Sequence, residues 1–115
     1  MSDNKPFTQK AKEIHQANVD KGFWPGPRKL TETTMLIVTE LAEAVESERA
    51  GEGGVWYRSM GEGKLAKPEG VDIELIDALI RLLDLLGSRG VDVDELMDIK
   101  LSFNRSRGYK HNRAY

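Results

Sequence analysis

The segment from residue 71 to residue 86 constrains the fold more than any other part of the chain. It is apolar over most of a helical circumference, and a helix of this kind is typical of a buried position. At about 100° per residue, its charged side chains fall within an arc of roughly 80°. They are Glu74, Asp77, Arg81 and Asp84. The segment therefore predicts a central helix whose charged stripe is either a solvated face or a functional site.

Apolar periodicity and capping residues predict three further helices. They cover about residues 8–21, 31–50 and 92–107. Thr31 is the expected N-cap of the second helix, and Asp92 opens the last one with Glu95 three residues later, as in a capping box. No segment shows the alternation of a strand. The chain is therefore expected to be an all-α, four-helix bundle that forms one domain over residues 1–115.

Glycine is expected to end these helices, at Gly22 and Gly51 and at Gly87 with Gly90. Residues 51–70 contain six glycines and one proline, and we expect them to form one long loop. Long loops in compact domains are usually functional or disordered. The adjacent Trp56 and Tyr57 favour a functional or interface role over a flexible insertion.

Composition excludes several classes of protein. The chain has no cysteine, which rules out disulfides, thiolate metal sites and thiol nucleophiles. Its first ten residues lack the apolar region of a secretory signal, and no apolar run approaches the ~20 residues of a membrane span. A cytoplasmic protein without a membrane partner is expected.

Charge is distributed unevenly. The formal net charge is −2, yet every charged residue after Asp98 is basic. These are Lys100, Arg105, Arg107, Lys110 and Arg113. An acidic body does not suit a duplex-DNA binder, whose affinity rests on many phosphate contacts. It suits a protein that handles a metal and a small phosphate ester, although the basic end is equally compatible with a solvated tail.

Two carboxylates on the second helix give the charged stripe of the central helix a partner. Glu40 and Glu43 lie about 60° apart on one face, at the edge of an apolar arc. That arc is formed by Ile37, Val38, Leu41, Ala42 and Val45. Antiparallel packing of the two helices would bring Glu40 and Glu43 against Glu74 and Asp77. Like charges this close disfavour joint ionisation, and Mg²⁺, with Mn²⁺ as a substitute, would relieve the conflict.

These motifs resemble a known superfamily. TELAEAVE, around Glu40 and Glu43, and VDIELIDALIRLLDL, around Glu74 and Asp77, resemble the ExxE and ExxD signature of the MazG-like and dimeric dUTPase superfamily. KLSFNRSRGYKH resembles its closing segment, and GFWPGPRKL resembles its loop before the second helix. The resemblance covers about residues 11–111. One departure is the spacer of thirty residues between Glu43 and Glu74, which is longer than expected for compact members.

The resemblance implies a function in clearing the nucleotide pool. A nucleoside triphosphate would be hydrolysed to the monophosphate and pyrophosphate by attack of water at the α-phosphorus. The resemblance assigns the catalytic metal ligands as Glu40, Glu43, Glu74 and Asp77. It assigns phosphate binding to Lys100, Asn104 and Arg107, and base binding, by likeness to dCTP pyrophosphatases, to His15 and Trp24. It also implies a homodimer or homotetramer with active sites completed between chains, which would cover the apolar central helix.

Other interpretations remain open. A helical nucleic-acid-binding or assembly module could use the basic C-terminal segment and stack bases on Trp56 and Tyr57, but the carboxylates would then have no role. A di-iron or di-manganese bundle typically needs ExxH motifs, and neither His15 nor His111 follows a glutamate by three residues. Arg81 would act either as a counter-ion for the carboxylates or as a substrate contact.

Overall fold

The computed structural model describes residues 4–107, which form four α-helices and one two-stranded antiparallel sheet. The elements in chain order are α1 (Pro6–Asp20), α2 (Leu30–Arg49), β1 (Trp56–Arg58), β2 (Lys67–Glu69), α3 (Val71–Ser88) and α4 (Val93–Ser106). The mostly helical fold expected from the sequence is confirmed. The expectation that no strand forms was wrong, because residues 56–69 fold as a β-hairpin.

The central helix is α3, along which both α1 and α2 pack, while α4 packs mainly on α1. A small apolar core lies where three helices meet, with Ala11, Leu83 and Val93 buried at its centre. Ile14 and Leu86 pack against this centre. The core therefore lies on the side of α3 that faces α1 and α4.

The amino-terminal ends of α1 and α4 lie side by side. The Glu95 backbone N–H donates to Asp92 Oδ1 at 3.0 Å, which confirms Asp92 as the N-cap of α4. Asp94 accepts from both the backbone N–H and the hydroxyl of Thr8, at 2.8 and 2.6 Å. Because the first N–H groups of a helix have no partner within it, the Asp94 carboxylate also satisfies the start of α1.

The start of α2 differs from the sequence prediction. Lys29 is the N-cap, without a side-chain hydrogen bond, and Thr31 lies inside the helix. The hydroxyls of Thr33 and Thr34 donate instead to the carbonyls of Lys29 and Leu30, at 3.3 and 2.8 Å. The prediction of a Thr31 cap was therefore wrong, because the helix already begins at Leu30 and Thr31 lies within its first turn.

The face of α2 that packs on α3 also differs from the predicted apolar arc. Thr33 and Ala44 are buried, and the half-buried residues Ile37, Glu40 and Ser47 follow the same stripe at intervals of three and four. The predicted arc is mostly open: Val38, Leu41 and Val45 remain 44–50% exposed. A stripe of small and polar side chains therefore places Glu40 at the contact with α3.

Large apolar side chains remain uncovered on α3 and α4. On α3 they are Leu75, Ile76, Leu79, Ile80 and Leu82, each at least 40% exposed. On α4 they include Leu96, Ile99, Leu101 and Phe103. The radius of gyration is 17.3 Å, against about 13 Å for a compact domain of this length. The expectation of a fully buried central helix therefore fails within one chain.

Among residues 4–107, none of the helices has the length and apolar character that crossing a membrane requires.

Gly87 lies inside α3 and does not end it. The helix continues to Ser88, and Gly90, with φ of 66°, takes the left-handed conformation beyond it. A Cβ on Gly87 would lie 2.4 Å from the Ala11 carbonyl oxygen and 2.9 Å from His15 Cβ. The glycine is therefore needed for the close approach of α1 to α3.

We expect Gly87→Ala to destabilise the protein by about 1–3 kcal/mol, the usual effect of overpacking a tight contact. Helix propensity alone predicts the opposite, since alanine favours a helix interior by about 1 kcal/mol over glycine. Urea unfolding followed by circular dichroism measures the difference. Gly53→Ala is the control, because its added methyl meets no atom within 4 Å. A Gly87→Ala variant more stable than the parent would disprove the close contact.

Candidate functional site

Three of the four predicted metal ligands meet between α2 and α3. One carboxylate oxygen from each of Glu40, Glu74 and Asp77 lies within 4.8 Å of the other two, and all three residues are half-buried. Glu74 and Asp77 are one helical turn apart on α3, and Glu40 lies on the packing stripe of α2. Two helices therefore supply one group of hard oxygen donors.

Glu43 lies beside this group but outside it. Its side chain is exposed, one turn after Glu40 on α2. Burial raises the pKa of Glu74, and the charge of Glu43 is the next cause of that rise. Glu43 thus lies at the rim of the acidic group, where its charge contributes to the raised pKa of Glu74.

The acidic group contains unfavourable charge interactions. The pKa of Glu74 is above its usual value first because of burial and then because negative charges surround it. Burial raises the pKa of Asp77 as well, and Glu40 adds to that rise while Arg81 and Lys67 oppose it. A divalent cation held by these oxygens would remove the repulsion.

Arg81 is the counter-ion within the group. Its Nε lies 3.2 Å from Glu40 Oε1, in an ion pair that joins α3 to α2. The counter-ion role expected from the sequence therefore agrees with the structure, with Glu40 as the partner. The Arg81 side chain is 43% exposed and also lines the neighbouring cleft.

A cleft of about 980 Å³ opens beside the acidic group. One wall carries polar side chains of α2 and α3, namely Glu40, Asp77, Arg81 and Asp84. The opposite wall is the loop before α2, with Phe23 and residues 25–28. Binding sites for small molecules commonly have volumes of about 300–1,000 Å³, so the cleft is large enough for a nucleotide.

Asp84 organises the end of the cleft away from the acidic group. It is 7% exposed and has three polar neighbours. Asn18 Nδ2 and Trp24 Nε1 donate to Asp84 Oδ2 at 2.9 and 3.0 Å, and His15 Nδ1 lies 2.8 Å from Oδ1. A buried carboxylate requires such partners. Asp84 therefore fixes α1 and the loop before α2 to α3.

The sequence predicted that His15 and Trp24 act as a pair, and the structure places them together. Their ring centroids are 4.9 Å apart in an edge-to-face arrangement, and the Arg28 guanidinium lies 4.0 Å from the centroid of the Trp24 ring. They line a smaller cavity of about 410 Å³, which adjoins the cleft at Gly26, Pro27 and Arg28. Base binding by this pair stays a prediction.

The predicted phosphate ligands are not brought to the acidic group within one chain. Lys100 Nζ and Arg107 Cζ lie 5.1 and 5.8 Å from the centroid of the Phe103 ring on α4. Asn104 Oδ1 is buried without a hydrogen-bond partner in the described part of the chain. No α4 residue lines the cleft. Lys110, His111 and Arg113 lie outside the described residues.

Sequence reasoning missed the structural part played by two residues, Asp84 and Lys67. Asp84 stands seven residues after Asp77, about two helical turns, so its place on the stripe was visible but its partners were not. Lys67 lies on β2, in the segment expected to be a loop, and its charge acts on Asp77. Strands of three residues among glycines gave no periodic signal.

Comparison of the chain with protein-family models, curated proteins and solved structures finds no match. The likeness to MazG-like enzymes therefore stays a prediction from the motifs around the carboxylates.

We expect Glu74→Gln to leave the free energy of unfolding in EDTA unchanged or to raise it, because it removes a charge that its neighbours repel. A carboxyl whose pKa is raised in the folded state stabilises the fold below its usual pKa. This contribution is lost as the pH rises through the raised value. The loss of unfolding free energy with rising pH should be smaller in the variant than in the parent. Thermal and urea unfolding across this pH range measure both effects.

Mg²⁺ distinguishes a metal site from a structural cluster. At ten times its Kd it should stabilise the parent by about 1.4 kcal/mol and Glu74→Gln by less. Glu48→Gln, which changes an exposed carboxylate on α2, should respond as the parent does. A large loss of stability in EDTA, with an unchanged response to Mg²⁺, would show that Glu74 has a structural role.

Proposed function

We propose that the chain is a Mg²⁺-dependent nucleoside triphosphate pyrophosphohydrolase, which converts a (d)NTP and water to a (d)NMP and pyrophosphate. The observation that carries the proposal is the meeting of Glu40, Glu74 and Asp77 at the edge of a cleft large enough for a nucleotide. The motifs around these residues support the same reaction.

The residues fit the metal that the reaction needs. Three carboxylates offer hard oxygen donors, and the raised pKa of Glu74, caused by burial and then by its negative neighbours, indicates a group short of positive charge. Mg²⁺ prefers such donors and commonly bridges to substrate phosphates. When bound, it would polarise a phosphoryl oxygen and lower the pKa of a water molecule. In this proposal Glu43, at the rim, would accept a proton from the attacking water.

The cleft suits the other parts of a nucleotide. Arg81 faces it beside the carboxylates and can fork two phosphate oxygens once Glu40 binds the metal. The loop with Phe23 lies at the other end, and the smaller cavity lined by His15 and Trp24 adjoins it, so that the base would lie against these rings. The substrate would thus lie with its phosphates on α2 and α3 and its base under the loop.

The alternative of a nucleic-acid-binding module has less support. Stacking on the hairpin would need both aromatic rings free, yet Trp56 is half-buried with the Arg58 guanidinium 5.4 Å from its ring centroid. Tyr57 alone is well exposed, at 67%. That alternative also gives the acidic group no role.

We further propose that the active enzyme is a homodimer or a homotetramer. The apolar faces of α2, α3 and α4 are uncovered, and α4 packs on α1 away from the acidic group. Lys100, Asn104 and Arg107 would then reach the substrate phosphates from another copy of the chain. Burial of the exposed apolar faces would drive this association.

We expect Glu43→Gln and Asp77→Asn each to abolish Mg²⁺-dependent pyrophosphate release while helical content persists. The first removes the proposed proton acceptor and the second a metal ligand. Pyrophosphate release from each common or damaged (d)NTP measures activity, and circular dichroism measures helicity. Glu48→Gln should keep the parent rate. Near-normal turnover by Asp77→Asn would show that the metal site is wrongly assigned.

Mixing variants tests whether active sites are shared between chains. Glu74→Gln and Arg107→Ala should each be nearly inactive, but refolding them together as a two-fold dimer should restore about a quarter of the parent activity. Half of the dimers would be mixed, and each would contain one intact site. Glu74→Gln refolded with Asp77→Asn is the control and should restore nothing, since both residues belong to one chain's α3. If light scattering showed a monomer and this monomer were fully active, the shared site would be disproved.

A further inference from the structure

The hairpin between α2 and α3 presents four side chains on one face. β1 pairs with β2 so that Trp56 lies opposite Glu69 and Arg58 lies opposite Lys67. Residues directly opposite one another, and alternate residues along a strand, share a face. Tyr57 therefore points to the other side with its partner Pro68.

This face is directed at the start of α3. Trp56 and Glu69 are half-buried, whereas Tyr57 and Pro68 on the other face are exposed. β2 contacts α3 and leads directly into it. The charge of Glu69 is one of the causes, after burial and nearer carboxylates, of the raised pKa of Glu74. The inner face of the hairpin thus lies against α3, the helix that carries Glu74 and Asp77.

The junction between the hairpin and α3 is tightly held. Gly70 has φ of 116°, and a Cβ there would lie 2.5 Å from the Gly53 carbonyl oxygen. The backbone N–H groups of Val71 and Asp72 donate to the carbonyls of Gly53 and Gly54, at 3.3 and 2.8 Å. These bonds satisfy the first turn of α3 and fix the direction of the hairpin.

Lys67 and Arg58 are the two cations on this face. Arg58 is committed to Glu69 in an ion pair across the hairpin. Lys67 is exposed and has no ion-pair partner among residues 4–107. Its charge nevertheless reaches Asp77, where it opposes the rise in pKa that burial and Glu40 produce. Lys67 therefore lies on the hairpin face that packs at the start of α3, and its ammonium group is held in no ion pair within the described residues.

We propose that Lys67 binds the polyphosphate of the substrate on the metal held by the acidic group, an inference that rests on the proposed function. A lysine is a compact charge on a flexible stem, which suits contact with phosphate oxygens. A Mg²⁺ held by the carboxylates would bridge to the substrate phosphates, and these would offer oxygens to an ammonium group on this face of the hairpin. The long spacer would then serve to place a phosphate-binding cation from the same chain beside the site.

The test measures binding of inorganic tripolyphosphate in the presence of Mg²⁺ by isothermal titration calorimetry at fixed ionic strength. Lys67→Ala should weaken this binding roughly tenfold to a hundredfold, the usual effect of losing a charge-assisted hydrogen bond. Lys67→Arg should keep most of the affinity. Lys64→Ala, in the turn of the same hairpin, is the matched control and should bind as the parent does.

A counter-ion role gives a different result. If Lys67 only neutralises Asp77, Lys67→Ala would bind Mg²⁺ alone more tightly and tripolyphosphate with unchanged affinity, which would overturn the proposal. Equal weakening by Lys64→Ala, or a parent that binds no tripolyphosphate, would overturn it as well. Circular dichroism confirms that each variant is folded.

Kinetics separate this inference from the proposed function. If the parent releases pyrophosphate and Lys67→Ala has an unchanged KM, the inference fails while the function stands. If tripolyphosphate binding depends on Lys67 but no (d)NTP is hydrolysed, the function fails and the phosphate site stands.

Discussion

The packing of α2 on α3 through small and polar side chains is the constraint on which the rest of the structure depends. Thr33 and Ala44 let the two helices approach, and Glu40 lies on the same stripe. The approach brings Glu40 against Glu74 and Asp77, so that burial and like charges raise the pKa of both α3 carboxyls. Arg81 offsets part of this repulsion through its ion pair with Glu40. Charge repulsion of this kind is typical of functional sites, where stability is given up for function.

A second polar cluster shapes the cleft. Asp84 lies on the same stripe of α3 as Asp77, yet it is buried and bonded to α1 and to the loop before α2. The difference lies in its surroundings, because Asn18 and Trp24 both donate to Asp84, whereas Arg81 donates to the acidic group only at Glu40 among the described residues. The charged stripe of α3 therefore has one end where carboxylates repel one another and another end, at Asp84, where the carboxylate is hydrogen-bonded. Through its hydrogen bond with Trp24, Asp84 holds the loop that forms the opposite wall of the cleft.

Only part of the apolar surface is buried within the chain. The core around Ala11, Leu83 and Val93 is small, and α4 leaves Leu96, Ile99 and Phe103 more than half exposed. Large exposed apolar patches commonly mark interaction sites, and the exposed side chains of α4 are one basis of the proposed oligomer. The basic residues on α4 do not line the cleft of their own chain, and the proposed oligomer would supply them from another copy.

The sequence by itself determined the four helices, the Asp92 cap and the spacing of the carboxylate pairs, because periodicity and capping depend on residues within a few positions of one another. It also indicated that His15 and Trp24 belong together. Only the tertiary structure decided which stripe of α2 meets α3, that Glu43 stays at the rim, and that Arg81 pairs with Glu40. The β-hairpin that carries Lys67 was likewise beyond the sequence. These features depend on contacts between residues far apart in the chain, where the free energy of packing outweighs local preference.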